Sequence, residues 1–193
     1  MGERLDIGPA SACAELAAAL RDLQDAAAAS APSDQLASTV ARSLGVATEA
    51  LRGAPAPRGG RWFGRLDVPG RGQTMCPPVT ITELTSERLR GSVTCTPFYG
   101  GFGEGVHGGA VALIMNELMG TLANADPSIV RVAAYIHVDY RSAAPLETAL
   151  TARADVGQTS GRKQTITSSL SCAGRVIAEG EGLFLGPRID ETG

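Results

Sequence analysis

The segment "AVALIMNELMG", Ala110 to Gly120, constrains this chain more than any other stretch. At helical spacing Val111, Ile114, Met115, Leu118, Met119 and Leu122 leave almost no polar side. A helix that is apolar nearly all round cannot lie on a surface and has to be wrapped. The 193-residue chain is 44% hydrophobic, enough for one substantial core, and its length predicts one domain plus an appendage.

The wrapping comes from segments whose apolar residues alternate. "VTITEL" and "RLRGSVTCT", joined by "TSE", predict a β-hairpin ahead of the helix. After the helix, "VRVAAYIHVDYR" sets Val130, Val132, Ala134, Ile136, Val138 and Tyr140 on one face. Arg131, Tyr135, His137, Asp139 and Arg141 fall on the other. "ETALTARADV" repeats the pattern with Leu150, Ala152, Ala154 and Val156 inward, and "RKQTITSSLSCA" and "RVIAEGEGLFLG" complete the set. The gaps between these strands are too short for parallel crossovers, so a meander of antiparallel neighbours is expected. The fold class predicted is α+β: an antiparallel sheet wrapped around one central apolar helix, which is the hotdog architecture.

The first part of the chain has a different character. "SACAELAAALRDLQDAAAA" and "SDQLASTVARSLGVATEALRG" predict two helices separated by a turn at "SAPSD", with Ser33 as N-cap and Gly53 closing the second. The Pro/Gly stretch "GAPAPRGGRWFG" marks a boundary. The expected organisation is an N-terminal helical extension and linker over 1–58, the main domain over 59–188, and a tail over 189–193.

Charge and composition exclude several classes. A net charge of −3 without a basic stripe argues against nucleic acid. No apolar run approaches the ~18 residues of a membrane span. "MGERLDIGPA" lacks a signal-peptide layout and puts Asp6 where a myristoylation signal needs Ser or Thr, so a cytoplasmic protein is expected. Cys13, Cys76, Cys95 and Cys172 form no close pair and the histidines are His107 and His137, so neither a metal site nor a disulfide framework is expected.

The chemistry concentrates in "GGFGEGVHGG", Gly100 to Gly109, directly before the apolar helix. Gly103, Gly105 and Gly108 satisfy G-x-G-x-x-G, but a dinucleotide site also needs a parallel β-α-β unit, which the meander does not provide. "GQTSGRK" resembles a P-loop only superficially, since it lies between two strands and no Ser or Thr follows Lys163. What remains is the helix N-terminus itself, with unpartnered N–H groups and partial positive charge. A carbonyl oxygen can sit on the Gly108 amide as in an oxyanion hole. Gly109, Leu113, Asn116 and Gly120 share one small helix face that suits a substrate channel, and Glu117 points about 100° away. The same residues also fit tight helix–sheet packing with Asn116 a satisfied core amide.

"VHGGAVALIMNELMG", "YIHVDYRSAAPL", "SGRKQT" and "IAEGEGLFLG", in this order, resemble the hotdog acyl-CoA thioesterases of the PaaI type. The similarity is greatest to mycobacterial and actinobacterial members with an extended N-terminus, and it covers about residues 60 to 188. It implies that Gly108 donates its amide to the thioester oxygen and that His107 shapes the turn. It implies a catalytic Asp or Glu nine residues after the His, where this chain has Asn116, an amide that can orient water but not deprotonate it. Glu117 is the nearest carboxylate, and Glu104 is the polar side chain where the family often carries an Asn before the His. Coenzyme A phosphates are expected near Arg141, Arg162 and Lys163, with no separate cofactor. The resemblance thus implies an acyl-CoA thioester hydrolase that assembles as a homodimer or a dimer of dimers. A non-catalytic acyl-CoA or acyl-chain binding protein is the alternative that Asn116 keeps open.

Overall fold

The computed structural model describes residues 12–55 and 69–187. Most of the linker around Trp62 and the tail from 189 lie outside the described residues. Two helices come first, α1 (Ala12–Ala28) and α2 (Asp34–Arg52), then strands β1 (Val79–Leu84) and β2 (Arg88–Thr94), helix α3 (Gly108–Ala123), and strands β3 (Val132–Tyr140), β4 (Ala149–Ser160), β5 (Lys163–Cys172) and β6 (Arg175–Leu185). Short 3₁₀ turns at Pro69–Gly72 and Pro97–Tyr99 precede β1 and α3.

The strands form one sheet in the order β1-β2-β4-β5-β6-β3, and every pairing is antiparallel. The hairpin β1–β2 forms as its pattern requires, its turn held by Thr85, whose hydroxyl accepts the N–H groups of Glu87 and Arg88 at 3.2 and 3.1 Å. The β5–β6 turn uses left-handed Ala173 and Gly174, the twist that suits a two-residue hairpin loop.

The four later strands are not the simple meander expected. β4–β5–β6 is one, but β3 pairs with β6, and β4 crosses over to pair with β2. The crossover, residues 141–148, is held at the helix N-terminal end: Val106 N–H donates to Ala144 O at 2.9 Å and Glu147 N–H to Cys95 O at 2.8 Å. β3 is consequently an edge strand. A bulge between Ala133 and Tyr135 also breaks its alternation. Ile136 and Val138 pack on the core as expected, whereas Val130 and Val132 are exposed.

The sheet buries Leu89, Val93, Leu150, Ala152, Ala154, Ile166, Leu170 and Phe184 against Val111, Ile114, Met115, Leu118, Met119 and Leu122 of α3. Each large side chain so buried contributes about 1.5–3 kcal/mol of transfer free energy. Close approach needs glycine on β6, because a Cβ at Gly180 would stand 3.0 Å from both the Met115 methyl and the His137 carbonyl. The helix is not wrapped on all sides, however: Gly109 and Asn116 are exposed, and Leu113 and Gly120 half-buried, along one open strip.

The N-terminal helices behave differently from each other. α1 docks through Ala17, which is fully buried, and through Arg21, whose guanidinium donates to the carbonyl of Gln73. α2 is capped by Ser33, whose hydroxyl accepts the Leu36 N–H at 3.3 Å, but none of its residues is buried.

Candidate active site

The turn that launches α3 is braced by backbone pairing. Gly101 N–H donates to Gly105 O at 2.8 Å and His107 N–H to Tyr99 O at 2.8 Å. A Cβ at Gly101 would lie 2.8 Å from the His107 Cα, so the close approach of loop to helix start depends on glycine there. His107 then caps the helix: its Nδ1 accepts the Gly109 N–H at 2.9 Å. With Nδ1 accepting, a neutral ring carries its proton on Nε2.

Following each N–H of the first turn identifies the available donor. Gly109 is taken by the His107 ring, and Ala110 and Val111 donate to the His107 carbonyl at 2.9 and 3.2 Å. The Gly108 N–H has no hydrogen-bond partner among the described residues, and Gly108 is exposed. It points out of the positive end of α3, where an oxygen gaining negative charge is favoured. Tyr140, at the end of β3, completes the local wall by donating its hydroxyl to the Gly108 carbonyl at 2.9 Å. The sequence had put Tyr140 on the helix-facing side of its strand but had given it no role at the site.

The open strip runs from this donor along α3. Asn116 is exposed, so it is not a core amide, and a Cβ at Gly120 would meet nothing within 4 Å. Leu113 is half-buried between strip and core. Gly108 and Asn116 are separated by about 12 Å of helical rise, eight residues at ~1.5 Å each. Within one copy they do not meet at one atom.

Glu117 faces elsewhere. Arg71, in a turn where Gly70 and Arg71 are both left-handed, brings its guanidinium to 3.5 Å from the Glu117 carboxylate, and Thr121 donates to the same oxygen at 3.4 Å. The sequence reading missed Arg71; "PGRG" carries a turn signal but nothing that names its distant partner. Beside this pair, burial pushes the Cys76 thiol up to about 12, with the Glu117 charge adding to it, and burial lifts Cys95 to about 11. Both thiols stay protonated at neutral pH and are not nucleophiles.

The three basic candidates do not converge in one chain. Arg141 sits on the sheet face away from α3, paired with Asp139 at 3.2 Å and Glu179 at 3.0 Å. Arg162 lies at the β4–β5 turn near Ile129 and Gly186, past the C-terminal end of α3, and Lys163 opens β5 beside it. A cavity of about 510 Å³ on that outer sheet face is lined by His137, Asp139, Arg141, Arg153, Asp155, Glu179 and Glu181, and no residue of the α3 N-terminus is among its lining. Among the described residues no group of three or more His, Cys, Asp or Glu could hold a metal ion. With every strand pairing antiparallel, the glycine run belongs to no dinucleotide-binding unit.

No family model matches the chain, and no curated protein does. Solved structures do. A structure described as a thioesterase superfamily protein aligns with a TM-score of 0.77 and 29% identity, over 92% of this chain and 96% of that one. The fold is the hotdog fold. The same hotdog domain is similar to a phenylacetic acid degradation-related protein from Ralstonia eutropha, with a TM-score of 0.52 and 14% identity over 55% of this chain and 83% of that one. It is also similar to a thioesterase protein with coenzyme A from Streptococcus pneumoniae, with a TM-score of 0.53 and 12% identity over 56% of this chain and 87% of that one. An alignment over 92% of the chain takes in the N-terminal helices, so the first of these hotdog structures shares the extension.

Proposed function

We propose that this chain is an acyl-CoA thioesterase of the PaaI type, hydrolysing acyl-CoA to free acid and CoA in the cytoplasm without a further cofactor. The observation that carries the reading is the Gly108 amide, an N–H without a partner among the described residues, at the start of α3 and opening onto the strip with Leu113, Asn116 and Gly120. The neighbouring thioesterase structures, one of them holding coenzyme A, support the same ligand class.

The reading requires two copies. An antiparallel two-fold pairing of α3 would bring Gly108 of one copy to Asn116 of the other, closing the ~12 Å gap. Edge strand β3, with exposed Val132, Tyr135 and Tyr140, is a surface that folded proteins cover. We therefore read the protein as a homodimer, alone or as a dimer of dimers. Arg141, Arg162 and Lys163 are then candidates for the CoA phosphates, the latter two after pairing with a second copy.

In this scheme the thioester oxygen accepts the Gly108 N–H and the helix dipole stabilises the oxyanion as water adds. One such donor typically contributes about 2.7–4 kcal/mol. Asn116 orients the water, whose proton leaves to solvent, and collapse of the intermediate expels the CoA thiolate, which takes up a proton. Glu117 would need to leave Arg71 before it could serve as a base.

The second reading, a non-catalytic acyl-CoA or acyl-chain binding protein, is favoured by one observation: the open strip of α3 carries an amide and no carboxylate. A panel of acyl-CoAs, with thiol release and binding followed separately, decides. Release supports the hydrolase; binding without release supports the binding protein.

A further inference from the structure

Helix α1 packs on the two 3₁₀ turns, Pro69–Gly72 and Pro97–Tyr99, and its buried Ala17 stands apart from the core built by the sheet and α3. The hotdog core is thus filled without α1, and what α1 adds is a hold on these turns. Arg21 donates to the carbonyl of Gln73, and the Tyr99 hydroxyl donates to the carbonyl of the next residue, Thr74, at 3.1 Å. Residues 73 and 74 therefore tie α1 to Tyr99, which is itself buried. Arg21 and Asp25 also act electrostatically on the Tyr99 phenol, the first opposing and the second adding to the rise in its pKa that burial imposes.

We propose, resting on the reading of Gly108 as the donor to a thioester oxygen, that Tyr99 is a positioning residue through which α1 aims the Gly108 amide. The Tyr99 carbonyl accepts the His107 N–H at 2.8 Å, and the Tyr99 N–H donates to Thr96 O at 3.0 Å, so both backbone groups of the residue are held. The His107 carbonyl and the Gly108 N–H belong to one planar trans peptide and point in opposite directions. That carbonyl is turned into the helix, where it accepts the N–H groups of Ala110 and Val111. The tilt of the same plane sets where the Gly108 N–H points. A shift of His107 therefore turns the donor itself, and an oxyanion donor acts only when it stands about 2.7–3.1 Å from the oxygen. The N-terminal helix thereby takes a part in the reaction that the fold does not require of it.

Thiol release from acyl-CoA by the full chain tests it, in single variants and in a Gly108→Pro background. Ala17→Arg forces a charge into the buried seat of α1 and is expected to lower kcat roughly tenfold to a hundredfold, with KM within about twofold. Ala17→Ser fits the same space and should keep the parent kcat. Tyr99→Phe releases Thr74 but keeps the ring, and should lower kcat about threefold to tenfold. Combined with Ala17→Arg it should add little, because both act along one path. In Gly108→Pro the amide is gone, so Ala17→Arg should cost no further activity. A loss by the same factor with and without the Gly108 N–H would overturn the inference, since a merely structural role predicts it. So would an unchanged kcat in the Ala17→Arg protein. Gly108→Pro at the parent rate, or a parent chain that releases no thiol, would instead remove the reading of the site itself.

Discussion

The Tyr140 hydroxyl donates to the Gly108 carbonyl at 2.9 Å, so the residue offering the unpartnered amide is held from its other side by the edge strand. Tyr140→Phe removes that hold and keeps the ring. We expect kcat to fall roughly threefold to tenfold with KM little changed. The hydroxyl is at an exposed position, so melting should report a loss of at most about 1 kcal/mol. Unchanged kcat would make the contact purely structural.

His107 is a cap before it is anything else. His107→Ala leaves the Gly109 N–H unpartnered and should cost about 0.5–2 kcal/mol in denaturant unfolding, while His107→Asn, a good capping residue, should recover most of it. If the two variants unfold alike, the imidazole is not capping.

Asn116→Asp tests the missing base. The side chains are nearly isosteric, and a carboxylate opposite a Gly108 amide should raise thioester hydrolysis by up to ~10²–10⁴-fold, the gain growing with pH until the new group ionises. Glu117→Gln should leave the parent rate within about twofold. Its ion pair with Arg71 is partly exposed, so the loss of stability should be about 1 kcal/mol or less. The reverse pattern, with Glu117→Gln inactive, would move the base to Glu117.

Alkali should loosen the fold before it strips the sheet. Burial raises Cys76 and Tyr99 to about 12 and Cys95 to about 11, above their ordinary values of 9 and 10. Above pH 9 the unfolded chain loses these protons first, so the folded state is progressively disfavoured from pH 9 towards 11–12, with no contribution from them below pH 9. Melting temperature should fall across that window. At pH 8 a thiol reagent should react with Cys13 and Cys172 and spare Cys76 and Cys95 until unfolding.

The β1–β2 hairpin, the inward set Leu150, Ala152 and Ala154, and α3 were all legible, because burial on one side imposes periodicity. The crossing of β3 to β6 was not, since residues 141–148 are long enough to pass the helix end yet short enough to be taken for a loop between neighbours. At the site, the unpartnered Gly108 amide follows from helix geometry and could be foreseen. The Glu117–Arg71 pair joins residues 46 apart through a left-handed turn, and no local pattern announces it. The open strip depends on what the sheet leaves uncovered, which only the assembled fold displays.

Gly108→Pro tests the central claim most directly. The substitution deletes the one N–H at issue, at the first helical position, where proline fits, after a His107 whose ψ of 133° suits a residue preceding proline. That N–H has no partner among the described residues, so melting should change by less than about 1 kcal/mol. Thiol release from the best acyl-CoA should fall ~10²–10³-fold, the effect of losing an oxyanion donor. A folded Gly108→Pro protein that hydrolyses acyl-CoA at the parent rate would contradict the account.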